Sequence, residues 1–437
     1  MNALNGNLID HLLFPPNIDT PTIFSMELSS LLVNASGLSE AEDAAKVERT
    51  TSVCASFPTP PLSETPSKDQ DAAYIRQEEV KERSIRRAEL VKSVEAIIKS
   101  VVDALVSGED VYIELARRNA KNSVFEAETG TFQRAANGSM KRIKMVDAKD
   151  DESIWRFTTL IHTLDAVHTV LLTNTITTKR DIYYTAPALY RSQRTVDTQI
   201  DDIACTLSVN RSDLNVVAAA KGLVCGNVVI LRDDGGRVEC GETEGVLVLD
   251  AGQVRGVDVG EEVKWVLVIE KEATFRGLAT SGFWKDNVDG GPGILITAKG
   301  YPDLSTRALL HLLHTTSPTL PLLALVDHDP HGFDILLTYT CGSTSLAHQN
   351  ILLSVPSLRL LGVRSGDIPS ENLLQMTSKD RRMCVGILGR KGVRKEVREE
   401  VRRMLWMGRK GEIQGVESGN EGLGRWIGRR IRERDWV

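Results

Sequence analysis

VKWVLVIE (residues 263–270) is an almost unbroken apolar run that ends on a carboxylate. A strand exposed on one side alternates apolar with polar residues, whereas a run this continuous fits a strand buried on both faces. Working outward from it, KEATFRGLATSGF (271–283) reads as a helix, GILITAKG (293–300) as a strand and DLSTRALLHLLHT (303–315) as a helix. LLALVDHD (322–329), GFDILLTYTCG (332–342) and LRLLGV (358–363) repeat the pattern as strand, helix and strand. Strands alternating with helices predict an α/β fold, a parallel sheet with helices on both faces.

Upstream the character differs. Residues 1–71 hold seven of the fifteen prolines, with ten acids against three bases. Such a stretch buries too little apolar surface to offset its chain entropy, so it is expected to be a disordered acidic leader, with a short apolar helix near 24–32. Residues 72–109 predict a long amphipathic helix, with Leu90, Val94, Ile97, Ile98, Val101, Val102 and Leu105 at helical spacing. Within 110–240, residues 150–174 and 178–209 read as helices, the second broken near Pro187. SVNRSDLNVVAAAKGLVCGNVVIL (208–231) reads as a turn, a short helix and a strand pair. Small helices followed by a β ribbon predict a helix-turn-helix or winged-helix unit. A Gly-rich connector, RDDGGRVECGETEG (232–245), separates it from the sheet domain at 255–415, and residues 416–437 read as a basic Gly-rich tail.

The formal net charge of the 437-residue chain is −6, but residues 377–437 carry seventeen bases against nine acids. The whole-chain sign therefore does not exclude a polyanionic partner. No apolar run reaches the length of a membrane span, and the first residues lack a basic n-region and a clean cleavage site, so neither a membrane nor a secreted protein is expected. Six scattered cysteines without a CxxC pair argue against a zinc ribbon.

Chemistry in an open parallel sheet collects at the carboxyl edge of its strands. Glu270 ends one strand there, and Asp327 and Asp329 end another. Residues two apart on an extended strand face the same way, so both aspartates can enter one site. Three converging carboxylates favour a hard cation, Mg²⁺ foremost; acids at strand ends can also simply cap the next helix. His328 and His331 beside them read as structural. Tyr183 and Tyr184 form a second constellation, with Arg180 one turn before Tyr184 on the same helix face. Paired tyrosines can be packing residues, but a phenol beside a cation can also be a nucleophile. Lys221 in KGLVCG, and Lys299 and Arg307 in KGYPDLSTR (299–307), are candidate phosphate contacts beside glycine turns and a helix start. KGLVCG lacks the spacing of a Walker loop. The basic stretch at 378–414 reads as two amphipathic helices, a solvated face or a phosphate surface.

Taken in order, TTKRDIYYTAPALYRSQRTVDTQIDDIACTLSV, VLVIEKEATFRGL, ITAKGYPDLSTRALLHLL and LALVDHDPHGFDILLTYTCGS resemble the topoisomerase VI A-subunit family. Within it they are most similar to the eukaryotic meiotic recombination initiators, which make programmed DNA double-strand breaks. The resemblance spans roughly residues 85–415 and implies a winged-helix DNA-binding domain followed by a Toprim domain. It implies that Tyr184 is the nucleophile and Arg180 its active-site arginine. Glu270, Asp327 and Asp329 would be the Mg²⁺ ligands, and Lys221 and Tyr301 fall in motifs that the resemblance associates with DNA contact. Ala298 before KGYPD and His328 inside DxD depart from the usual pattern. The implied partners are double-stranded DNA, a second copy of the chain at the cleavage site, a topoisomerase VI B-like protein docking on the 72–109 helix, and meiotic accessory proteins. The implied location is the nucleus, on chromosomes. The alternatives are one half of a two-protein topoisomerase that reseals DNA, and an inert DNA-binding scaffold.

Overall fold

The computed structural model describes residues 68–147, 152–217, 220–285, 290–417 and 422–437. The acidic leader and the helix expected at 24–32 lie outside the described residues, except for the last four leader residues, which begin helix α1 (Lys68–Ser107). Leu90, Val94 and Val101 of α1 are buried, with Val91, Ile97 and Ile98 packed beside them. Burying one such side chain is worth about 1.5–3 kcal/mol, which fixes the helix on its own chain. The stripe expected to await a partner is therefore largely covered from within; Ile85, Leu105 and Val106 remain exposed.

The surface that covers it is a helical unit. Strand β1 (Tyr112–Ala116) leads into the hairpin β2 (Ser123–Glu126) and β3 (Thr131–Arg134), and β4 (Met140–Lys144) returns antiparallel to β1. Helices α2 (Ser153–Thr173), α3 (Lys179–Thr185), α4 (Pro187–Tyr190) and α5 (Gln193–Leu207) follow. Phe157, Leu160, Leu164 and Val167 of α2 share one core with Val196, Ile200 and Ile203 of α5 and with α1. The predicted break near Pro187 is present, since proline cannot donate to the preceding turn.

The strand pair expected at 223–231 does not form. Strand β5 (Leu223–Gly226) pairs with the central sheet, while β6 (Val228–Arg232) joins β7 (Arg237–Glu239) and β9 (Val254–Val259) in a separate three-stranded sheet. Gly226 permits the parting: a Cβ there would lie 2.8 Å from the Gly293 carbonyl oxygen, and its φ is +151°. A boundary at 240 thus leaves one strand of the sheet on the wrong side.

The central sheet has six strands in the order β8 (Val246–Leu247), β5, β11 (Gly293–Thr297), β10 (Trp265–Ile269), β12 (Leu322–Leu325) and β13 (Arg359–Gly362). The last four run parallel, as predicted, and β5 and β8 add an antiparallel edge. Alternate residues feed two cores. Trp265, Leu267 and Ile269 meet Phe275 and Leu278 of α6 (Glu272–Thr280). Val266 and Val268 face the opposite core, with α7 (Leu304–Thr316), α8 (Pro330–Thr340), α9 (Ser378–Leu388) and α10 (Lys395–Met407). Strands β14 (Leu374–Gln375) and β15 (Arg409–Lys410) bracket α9 and α10.

Residues 422–437 are not a loose tail. Helix α11 (Leu423–Glu433) places Leu423, Trp426, Ile427 and Ile431 on the same core as α6. Buried Arg430 pairs with Asp367, and Val437 exchanges two backbone hydrogen bonds with Leu360 of β13.

Candidate active site

Helix α3 is held on three sides. Thr178 accepts from the Asp181 amide while Asp181 accepts from Thr178, a reciprocal cap. Ile182 is buried, and buried Lys179 donates to Asp201 Oδ1 at 2.7 Å and to the Asp197 carbonyl at 3.1 Å. With that side anchored, Arg180 and Tyr184 face solvent. Tyr184 is 59% exposed, and the Arg180 guanidinium lies 5.9 Å from its ring centroid, so the pairing read from spacing is present. Tyr183 is half-buried against the helical core, its ring 5.3 Å from that of Tyr184. Lys179 was missed by sequence reading, since nothing marks a lysine before an exposed arginine as buried.

At the sheet edge Glu270 follows β10 directly, and its Oε2 accepts from the Asp327 amide at 2.9 Å. Burial, reinforced by the charges of Asp327 and Asp329, pushes the Glu270 carboxyl up to about 7. Burial also raises Asp327. Asp327 Oδ1 accepts from the Ile413 amide at 2.8 Å, and Oδ2 lies 3.0 Å from the Lys271 ammonium, which also reaches Glu412 and Gln414. Asp329 caps α8 through the Gly332 amide at 2.7 Å. Among the described residues no three acidic, histidine or cysteine side chains already close on one point as a metal cage. The donor set still fits a hard cation: it is all oxygen and partly buried, and the Asp327 and Asp329 charges add to the burial that raises Glu270. Lys271 answers the same charge from one side. Its place beside Glu270 in the sequence was the available signal.

The remaining candidates divide. Lys221 Nζ donates to the Tyr301 carbonyl at 2.8 Å, joining the two glycine turns. Lys299 has φ +57° and Gly300 φ +96°, and the Gly300 amide donates to the Glu270 carbonyl, so this turn borders the acids. Lys299 pairs with Glu272 at 3.1 Å. Tyr301 is 43% exposed and donates to Asp334 at 2.7 Å; burial and that bond raise its phenol. His331 Nδ1 lies 3.2 Å from the same hydroxyl. His328 is fully buried, as its position facing away from the aspartates requires.

Arg307 is the correction. It is 1% exposed and donates to the Leu353 carbonyl, Asn350 Oδ1 and Ser354 Oγ, and burial pushes its guanidinium down to about 10. It ties α7 to the 350–354 loop and cannot reach a phosphate. Arg307→Ala is therefore expected to cost about 3 kcal/mol, from a cavity and stranded acceptors. Urea unfolding reads that loss, while the salt dependence of DNA binding stays unchanged.

Both halves of this geometry match known families. A family model for type IIB DNA topoisomerases matches residues 155–216, the part that carries Tyr184. The model for the Toprim domain of Spo11 and the topoisomerase 6 A subunit matches residues 265–422, the part that carries the acids. The chain is 33% identical to human meiotic recombination protein SPO11 over 338 residues, 75% of this chain and 83% of that one. It is 32% identical to Schizosaccharomyces pombe meiotic recombination protein rec12 over 73% of this chain and 91% of that one. Against the A subunit of DNA topoisomerase 6 from Arabidopsis thaliana identity is 30%, over 79% and 80%. The chain belongs to the family of Spo11 and the topoisomerase 6 A subunit. Its parallel sheet is that family's Toprim domain. The match to 422 also draws the 416–422 stretch out of a separate tail. Among the described residues no helix is long and apolar enough to cross a membrane.

Proposed function

We propose that the chain is a topoisomerase-like transesterase that makes meiotic DNA double-strand breaks and so initiates homologous recombination. The observation that carries this reading is the exposed Tyr184 hydroxyl beside Arg180, on a helix anchored from behind in a chain of this family. The Tyr184 oxygen attacks a backbone phosphorus. A bond forms between that oxygen and phosphorus, and the bond from phosphorus to the 3′ oxygen breaks. The phenolic proton is lost to solvent and the 3′ oxygen gains one, so one phosphodiester replaces another with no nucleotide consumed. The protein is left on the 5′ end beside a free 3′ hydroxyl. Arg180 offsets phosphate charge and keeps the phenol oriented.

Glu270, Asp327 and Asp329 would hold Mg²⁺, which when bound supplies positive charge near the reacting phosphate. Lys221, Lys299 and Tyr301 bring the glycine turns to the DNA backbone, and the helical unit of α2–α5 supplies the DNA-binding surface expected of a winged helix. Two copies are required for two strands. A topoisomerase VI B-like partner and accessory proteins complete the assembly, in the nucleus on chromosomes. The exposed Ile85, Leu105 and Val106 are what α1 still offers a partner.

The test incubates the chain, with its partners, on supercoiled plasmid with Mg²⁺ and stops the reaction with detergent. Protein-linked 5′ ends and extendable 3′ ends are expected. Breaks with protein-free 5′ phosphates would overturn the chemistry. The similarity to a plant topoisomerase supports the second reading, a resealing enzyme; relaxed closed circles in the same assay would establish it.

A further inference from the structure

Helices α9 and α10 lie antiparallel: Cys384 Sγ sits 3.7 Å from Met404 Sδ, and Arg398 of α10 donates to the Leu388 and Arg390 carbonyls at the far end of α9. The inner side of α10 is Val397, Glu400, Val401 and Met404, all buried. On its outer side stands Trp406, 89% exposed. An indole left almost wholly in water is uncommon, because it forfeits several kcal/mol of burial that the fold could have used.

The charges around it are unusual too. Arg402 is one turn before Trp406 on the same face. Arg381 of α9 reaches the end of α10, where a Cβ on Gly408 would lie 2.9 Å from its guanidinium. Lys379 and Arg382 share the exposed start of α9, and Arg409 follows α10. Among the described residues none of these five cations has an acidic partner. The nearby acids are engaged or turned inward: Glu400 with Arg403 and the Ser365 amide, Asp380 with Lys410. Glu399, half-buried three residues before Arg402 and seven before Trp406, shares their face as an adverse charge. The exposed charged side chains at this end of the hairpin, Lys379, Arg381, Arg382, Arg402 and Arg409, are nonetheless basic.

The patch also has a place relative to the acids. From Arg409 the chain runs into Gly411, whose amide donates to the His328 carbonyl, and Ile413, whose amide donates to Asp327. Trp406 and its cations therefore sit a few residues from the loop that closes over the carboxylates.

Resting on the function proposed above, we infer that the α9–α10 end is a second DNA-contact site, beyond the glycine turns. It binds a strand that offers an unpaired or terminal base. Trp406 stacks on that base face, and Arg381, Arg402 and Arg409 hold the flanking phosphates. Stacking on an aromatic side chain is tolerant of sequence, and phosphate contacts are read by salt. A protein partner would be the other occupant of an exposed tryptophan, but five cations without an acidic partner favour a polyanion; of these Arg409 also donates to the Leu373 carbonyl at 3.3 Å.

The test uses the full chain with Tyr184→Phe, so that binding is read without cleavage. It is titrated with a duplex bearing a single-stranded tail and with a closed circle lacking ends. Trp406→Ala is expected to weaken binding to the tailed duplex about tenfold while sparing the circle. Arg402→Gln and Arg381→Gln are each expected to lower the salt slope by about one. Circular dichroism and urea midpoints should be unchanged, since all three side chains are exposed. Unchanged affinity for the tailed duplex would overturn the site, and loss of a protein partner in place of DNA would overturn it in favour of a protein interface. Failure of the parent chain to bind any DNA would overturn this inference through the proposed function itself, a result the other outcomes cannot mimic.

Discussion

Tyr184→Phe is expected to abolish covalent protein–DNA complexes while leaving folding and DNA binding intact. The substitution removes one hydroxyl from a side chain that is 59% exposed, so no core contact is lost and no buried acceptor is stranded. The ring stays, and with it the Arg180 guanidinium 5.9 Å away. Tyr183→Phe supplies the control: its ring rests against the helical core, so activity should fall only slightly. Both variants are read by trapping detergent-resistant DNA complexes and by duplex binding. A silent Tyr183 variant beside a fully active Tyr184 variant would shift the nucleophile by one residue and reverse the assignment.

The contrast between the two tyrosines was legible because helical periodicity turns adjacent residues to different sides. The strands of the sheet were legible for a similar reason, since burial on both faces leaves continuous apolar runs. What escaped was set by contacts distant in sequence. Strand β5 is four residues long, and its pairing with β11 joins residues some seventy positions apart. Helix α11 does carry the spacing Leu423, Trp426, Ile427, Ile431, but Gly415, Gly419, Gly422, Gly424 and Gly428 around it read as a Gly-rich tail. Tertiary burial of its apolar face overrides that low propensity. Arg307 was misread because a cation near a helix start resembles a phosphate ligand until the 350–354 loop is seen to cover it. The acid cluster was found in outline, yet the way Lys271 and the Ile413 amide hold Asp327 depends on a loop more than eighty residues away.

The second large effect concerns how the tyrosine meets the acids. Tyr184 lies on α3 of the helical unit, Glu270 at the edge of the sheet, and the two share no hydrogen bond within this chain. On the proposed chemistry one tyrosine cuts one strand, so a double-strand break would need two chains. The resemblance to the topoisomerase VI A-subunit family implies that the tyrosine of each chain works against the acids of the other. Glu270→Gln keeps the shape of the side chain while removing the charge that a cation would bind, so cleavage should fall about a hundredfold or more. Full cleavage by that variant with divalent metal chelated would remove the metal from the mechanism. Mixing then separates the two arrangements. Chains altered only at Tyr184 are combined with chains altered only at Glu270, and mixed dimers are verified by two affinity tags. If sites are shared, one site of each mixed dimer unites an intact Tyr184 with an intact Glu270, while the other loses both. The expected products are nicks at one strand per dimer, without double-strand breaks. If each chain uses its own acids, both sites carry one defect and no nicking follows. Each parent variant alone must be inactive in either case, so recovery of nicking on mixing can come only from a site built by two chains.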